Sequence, residues 1–154
     1  STWKALYFTP GAWQPRPDKD KTWNRGAYLV EAVAHCGECH TPRDSLGGPR
    51  RALHLAGTRE GPDDSVVPNI TPDKKTGIGR WRKSEIVEYL DTGMTPEGDL
   101  AGERMAEIID RSTSRLTLDD REAIATYLLS LPPVEHVTRK EKQKPVGGRD
   151  EFGF

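Results

Sequence analysis

The sequence predicts an all-α fold of about four to five short helices joined by long loops. Two observations carry this. Apolar residues recur at helical spacing in three stretches, near residues 24–36, 84–93 and 117–131, while no segment alternates at strand period. Between them, Pro42, Gly47, Gly48, Pro49, Gly57, Gly61, Pro62, Pro68, Pro72, Gly77 and Gly79 interrupt regular structure repeatedly.

Each element follows in order. Residues 1–22 hold Trp3, Leu6, Tyr7, Phe8 and Trp13 among Pro10, Pro15 and Pro17. The first eight read as the end of a helix and the rest as an extended linker, because Pro restricts itself and the residue before it. So many aromatics are expected to lie against a surface, first of all this chain's own. A helix is expected from Asn24 into Cys36, with Tyr28, Val30, Val33 and Ala34 on its apolar side. Residues 41–80 form a loop long enough to wrap a ligand. A short helix follows Ser84, read as its cap, and ends at Gly93, with Ile86, Tyr89 and Leu90 facing inward. A second loop leads to Met105, Ile108 and Ile109. Thr117 caps the last helix, where Ile124, Tyr127, Leu128 and Leu131 form one stripe before Pro132-Pro133 stops it. This gives an N-terminal extension (1–22), one domain (23–133) and a charged C-terminal tail (134–154) that is expected to be mobile.

Composition narrows the function. Of 154 residues, 34% are hydrophobic, 31% charged and 7% aromatic. That is lean for a self-sufficient core, so the fold is expected to draw on a bound group. No apolar run approaches the ~18 residues of a membrane helix, and no N-terminal apolar stretch reads as an export signal. The net charge of −1 divides into basic ends, residues 1–25 and 137–154, and an acidic body. An acidic body argues against general nucleic-acid binding and suits an electrostatically steered protein partner.

The two cysteines decide most of the chemistry. They stand in Cys36-Gly37-Glu38-Cys39-His40. C-x-x-C-H sets two thiols one helical turn apart, where both can form thioethers to the vinyl groups of one porphyrin. The adjoining imidazole then lies under the iron as an axial ligand. The Nδ1–H of His40 is expected to donate to a carbonyl of the following proline-rich loop, which fixes the tautomer. Two other readings compete less well. Structural zinc needs four ligands, for which His35 or His54 would have to join, and a dithiol redox site ordinarily accompanies a βαβ pattern that is absent here.

Met94, Met105, His35, His54 and His136 are the candidates for the sixth position, unless it is open. No third cysteine exists. A thioether suits electron transfer. Met94 follows the short helix too early for the chain to cross to the other face. Met105 lies beyond Gly98 and Gly102 and before Thr117, where the chain can approach from the opposite side.

On these residues the chain resembles a class I c-type cytochrome over roughly residues 23–133. The matching parts are the helix running into Cys36–His40, Leu55-Ala56-Gly57, Pro68-Asn69-Ile70-Thr71-Pro72-Asp73, Gly77-Ile78-Gly79-Arg80-Trp81, Met105 and the 116–131 helix. Trp23 to Val30, His35 to Arg43 and Ser112 to Pro133 resemble, more narrowly, haem domains of cytochrome subunits of bacterial periplasmic dehydrogenases. The resemblance implies a small cytochrome c fold around one covalent haem c, with Cys36 and Cys39 at the thioethers and His40 and Met105 on the iron. It implies that Trp81 hydrogen-bonds a haem propionate, with Arg80 and Asn69 assisting. It sets Pro49, in competition with Pro42, near the proximal carbonyl. Tyr28 and Val30 should meet Tyr127 and Leu128 where the terminal helices cross.

The function expected is one-electron transfer in the periplasm, between a dehydrogenase and the respiratory chain, with no catalytic residues. The chain would act as a monomer or as a subunit of a hetero-complex, associated with the membrane only through another segment or partner. Two alternatives stand beside it. One is a haem enzyme or gas sensor with an open sixth position. The other is the docking or electron-entry domain of a multi-haem dehydrogenase complex.

Overall fold

The computed structural model describes residues 2–138. Among them the regular structure is helical: α1 (Thr2–Tyr7), α2 (Lys21–Tyr28), α3 (Cys36–His40), α4 (Lys83–Thr92), α5 (Glu103–Arg111) and α6 (Leu118–Ser130), with short 3-10 turns between them. Strand pairing among the described residues is limited to three isolated bridges, which pin loops.

The frame is the crossing of α2 and α6. Asp20 caps α2 by accepting from the Trp23 amide at 2.7 Å, and Thr117 caps α6 by accepting from the Asp120 amide at 3.2 Å. At the crossing, a Cβ on Gly26 would stand 2.0 Å from the carbonyl oxygen of Ala123, so only glycine permits the approach. Ala27, Val30, Ala123, Ile124 and Tyr127 are buried around this point. Trp23 meets Tyr127 edge-on with ring centroids 5.1 Å apart, and its indole N–H donates to Ser130 Oγ at 2.7 Å. Arg25 closes the outer side with a bidentate pair to Asp120 at 2.7 and 2.8 Å. The expected partner here, Tyr28, instead lies exposed beside Trp13, at 6.1 Å. Trp23, Ala27 and Val30 follow i, i+4, i+7, and Tyr28 falls off that face.

The helix expected to run unbroken into Cys36 does not. Residues Leu29–Val33 widen into a π-helical turn, and His35 takes φ 50°, in the left-handed region, before α3 begins. The break re-aims α3, and a π-turn at such a place commonly marks a functional site.

α4 starts two residues earlier than expected. Arg82, not Ser84, is its N-cap, and the Glu85 carboxylate accepts from the Arg82 amide at 2.7 Å. Gly93 ends it with φ 78°. The Thr113 hydroxyl donates to the Leu90 carbonyl at 2.6 Å, tying the turn before α6 to α4.

Of the N-terminal aromatics, Trp3, Tyr7 and Trp13 rest on the chain's own surface, while Phe8 is exposed. Trp3 Nε1 donates to the Leu46 carbonyl at 3.1 Å and the Tyr7 hydroxyl to Asp44 at 2.7 Å. Asn24 fastens the proline-rich linker through the Arg16, Lys19 and Asp20 carbonyls. The first residues of the tail expected to be mobile are also held. Val134 N–H donates to Thr71 Oγ1 at 3.2 Å, His136 Nδ1 lies 3.0 Å from the Ala56 carbonyl, and Thr138 is buried. Residues 139–154 lie outside the described residues.

Candidate functional site

α3 carries the C-x-x-C-H sequence, so Cys36 and Cys39 are one helical turn apart. Both thiols are free and half-buried. Cys36 packs against the apolar cluster that contains Leu55, Ile86 and Leu90, and burial pushes its thiol up to about 11.

His40 closes α3 and is 8% exposed. Its Nδ1 lies 2.8 Å from the Pro68 carbonyl oxygen. That contact makes Nδ1 the protonated nitrogen and leaves the Nε2 lone pair free for a metal. Burial lowers the imidazole pKa, only partly offset by the Pro68 bond, which favours the neutral ring that metal binding requires. The proximal carbonyl therefore belongs to Pro68, neither to Pro49 nor to Pro42: the expected loop supplies it, at a different proline.

The loop under His40 is built to deliver that carbonyl. The Gly57 amide donates to the His40 carbonyl at 2.6 Å, and the Ile70 amide to the Leu55 carbonyl at 3.0 Å. Gly57 has φ +80°, and a Cβ there would lie 2.6 Å from Val67 O, Pro68 C and Asn69 N. Only glycine lets the Pro68 strand lie this close. Asn69, 2% exposed, donates to Thr76 Oγ1 at 3.0 Å and to the Val134 carbonyl at 2.7 Å. Its Oδ1 accepts from the Thr71 amide and hydroxyl at 2.9 and 2.7 Å. Both amide protons and both acceptor sites are thus engaged within the protein. Asn69 anchors the Pro68 segment.

Trp81 is half-buried, packs on the same cluster as Cys36, and meets Tyr89 edge-on at 5.4 Å. Arg80 beside it is exposed. Met105 is half-buried on α5, four residues before Ile109, which is 4% exposed; the two share a helix face. Met94 is 46% exposed. Of the remaining histidines, His54 and His136 are engaged elsewhere. His35 is exposed at the joint before α3, His136 faces Ala56, and His54 Nε2 lies 2.9 Å from Glu31 Oε1.

Glu31 was not singled out by the sequence. It sits in the π-turn and also accepts from the Tyr127 hydroxyl at 2.8 Å. Burial raises its pKa, but the hydrogen bond and charge of His54 and the Tyr127 hydroxyl outweigh this and hold it below the ordinary carboxylate value. Burial and the bond to Glu31 raise Tyr127. His54 Nδ1 lies 3.5 Å from Thr41 Oγ1, which accepts from the Leu55 amide at 3.0 Å. A polar chain therefore links α6, the π-turn and the residue after His40.

The donor set fits a haem c. Two reduced thiols one turn apart match paired vinyl groups, and a buried neutral imidazole offers one fixed nitrogen. Among the described residues no group of three His, Cys, Asp or Glu side chains could hold a bare metal ion, which leaves zinc without a site.

Comparison with known proteins agrees. The family model described as cytochrome c matches residues 24–132. The chain is 44% identical over 133 residues to a diheme cytochrome c-type protein of Cereibacter sphaeroides, covering 86% of this chain and 43% of that one. It is 47% identical over 110 residues to the fructose dehydrogenase cytochrome subunit of Gluconobacter japonicus, covering 71% and 22%. It is 35% identical over 138 residues to the gluconate 2-dehydrogenase cytochrome c subunit of Pantoea cypripedii, covering 84% and 31%. The chain spans less than half the length of these relatives.

Proposed function

The chain belongs to the cytochrome c family, and from that membership we propose that it is a one-electron carrier with a single His/Met-ligated haem c. Cys36 and Cys39 form the thioethers, and His40 and Met105 bind the iron. Trp81 serves a propionate with Arg80 beside it, and Asn69 acts through the Pro68 segment. The haem supplies a ferrous/ferric couple; the protein needs no acid, base or nucleophile. Its residues fix the imidazole, exclude water from it and hold the ring.

The observation that carries this reading is the His40–Pro68 contact at 2.8 Å beneath a C-x-x-C-H helix. One haem follows from one such motif and two cysteines in 154 residues, although one relative is named as diheme. The names of the relatives support a place beside a bacterial dehydrogenase, the chain passing electrons from it toward the respiratory chain in the periplasm. Among the described residues no helix is long and apolar enough to cross a membrane.

The test is spectroscopic and kinetic. Matured ferric protein should show the weak far-red sulfur-to-iron band, the ferrous form should resist carbon monoxide, and a periplasmic dehydrogenase should reduce it in stopped flow. Rapid carbon monoxide binding at neutral pH would point to an enzyme or sensor with an open position.

A further inference from the structure

Residues 58–67 form a closed loop. Thr58 and Val67 exchange backbone hydrogen bonds of 2.9 and 2.8 Å at its base. Near its tip the Gly61 amide donates to the Ser65 carbonyl at 2.9 Å and the Ser65 hydroxyl to the Pro62 carbonyl at 2.6 Å. The tip itself, Pro62–Asp64, is a 3-10 turn in which Asp63 and Asp64 both have φ 56°. That region is unfavourable for residues with a Cβ and is tolerated best by Asp and Asn.

The base of this loop adjoins His40, and its tip adjoins the residue before Met105. Its base continues into Gly57 and Pro68, the residues that hold His40. At its tip Asp63 pairs with Arg104, the residue before Met105. Pro62 and Gly61 also line a cleft with Cys39 and Thr41. The N-cap of α5, Gly102, has no side chain to cap the first turn, and the chain just ahead is held by the Ala101 amide donating to the Gly93 carbonyl at 2.8 Å. Among the described residues Asp63–Arg104 is the ion pair that joins α5 to another element.

We propose that Asp63 and Arg104 are positioning residues that clamp the start of α5 and so hold Met105 on the iron. The inference rests on the reading of Met105 as the sixth ligand. An exposed ion pair contributes modestly, but ligand retention is a balance that a small bias moves.

The experiment is a titration of matured ferric protein with imidazole, which competes for the sixth position, followed by loss of the far-red band. Asp63→Asn should raise the apparent imidazole affinity about threefold, and Arg104→Gln should do the same. Salt should bring the parent toward the variants by screening the pair. Asp64→Asn, next to the pair, should match the parent. The double variant Asp63→Asn/Arg104→Gln should match either single variant, because one pair can be lost only once, whereas two independent structural defects would add. Unchanged affinity in Asp63→Asn, or additive effects in the double variant, overturns the clamp. Met105→Ala separates the two levels. If it keeps the band, the ligand reading and the clamp fall together; if it loses the band while Asp63→Asn behaves as the parent, the clamp alone falls.

Discussion

His40 Nδ1 and the Pro68 carbonyl oxygen stand 2.8 Å apart, joined across 28 residues of chain. The imidazole is thereby fixed in tautomer and orientation before any metal arrives, and Gly57 makes the approach sterically feasible.

Gly57→Ala should therefore be costly. The new Cβ meets three backbone atoms at 2.6 Å, and the residue must hold φ +80°. Denaturant unfolding of the matured protein should show a loss of at least about 2 kcal/mol. Gly47→Ala, where φ is +76° but nothing lies within 4 Å, should lose only about 1 kcal/mol. Equal losses would show that backbone conformation, not the approach of Pro68, sets the requirement.

Gly26→Ala tests the helix crossing. A Cβ 2.0 Å from the Ala123 carbonyl oxygen forces α2 and α6 apart. A destabilisation of about 3 kcal/mol or more is expected from overpacking of a buried contact, measured by thermal unfolding. Parent-like stability would mean that the helices do not meet at Gly26.

Glu31 should shape the acid limb of stability. Its folded pKa is depressed by His54 and Tyr127 against the opposing effect of burial. A depressed carboxylate stabilises the fold fully above its unfolded value, near 4.5, and that contribution is lost as pH falls through the lower folded value. Glu31→Gln should be less stable than the parent at neutral pH, with the gap closing below about pH 4.5. A gap that stays constant down to strong acid would contradict this assignment.

The two methionines should behave oppositely. Met105→Ala is expected to abolish the far-red band and lower the reduction potential. Met94→Ala, at a residue 46% exposed, should do neither. Redox titration with near-infrared absorbance checks both; the reverse pattern would exchange their roles.

What the sequence revealed was local. Thr117 capped as its spacing required, Gly93 ended α4, and the Cys36–His40 segment formed a short helix that sets its two thiols one turn apart, because such spacing is a local property. What it hid depends on residues far apart or on a break in periodicity. Pro68 meets His40 only because a folded loop returns, and among several prolines nothing local selects it. The π-turn at Leu29–Val33 has ordinary helix-forming residues, so the interruption before Cys36 left no composition signal. The crossing expected at Tyr28 is made by Trp23, which keeps the i, i+4, i+7 phase with Ala27 and Val30. Glu31 looked like a surface charge because its partners, His54 and Tyr127, are 23 and 96 residues away.

The most direct measurement is the intact mass of the chain matured in a host that attaches haem c. One porphyrin bound through both sulfurs adds the mass of one haem and leaves no thiol to alkylate. A mass equal to the bare polypeptide, with Cys36 and Cys39 still reactive, would contradict the covalent haem site.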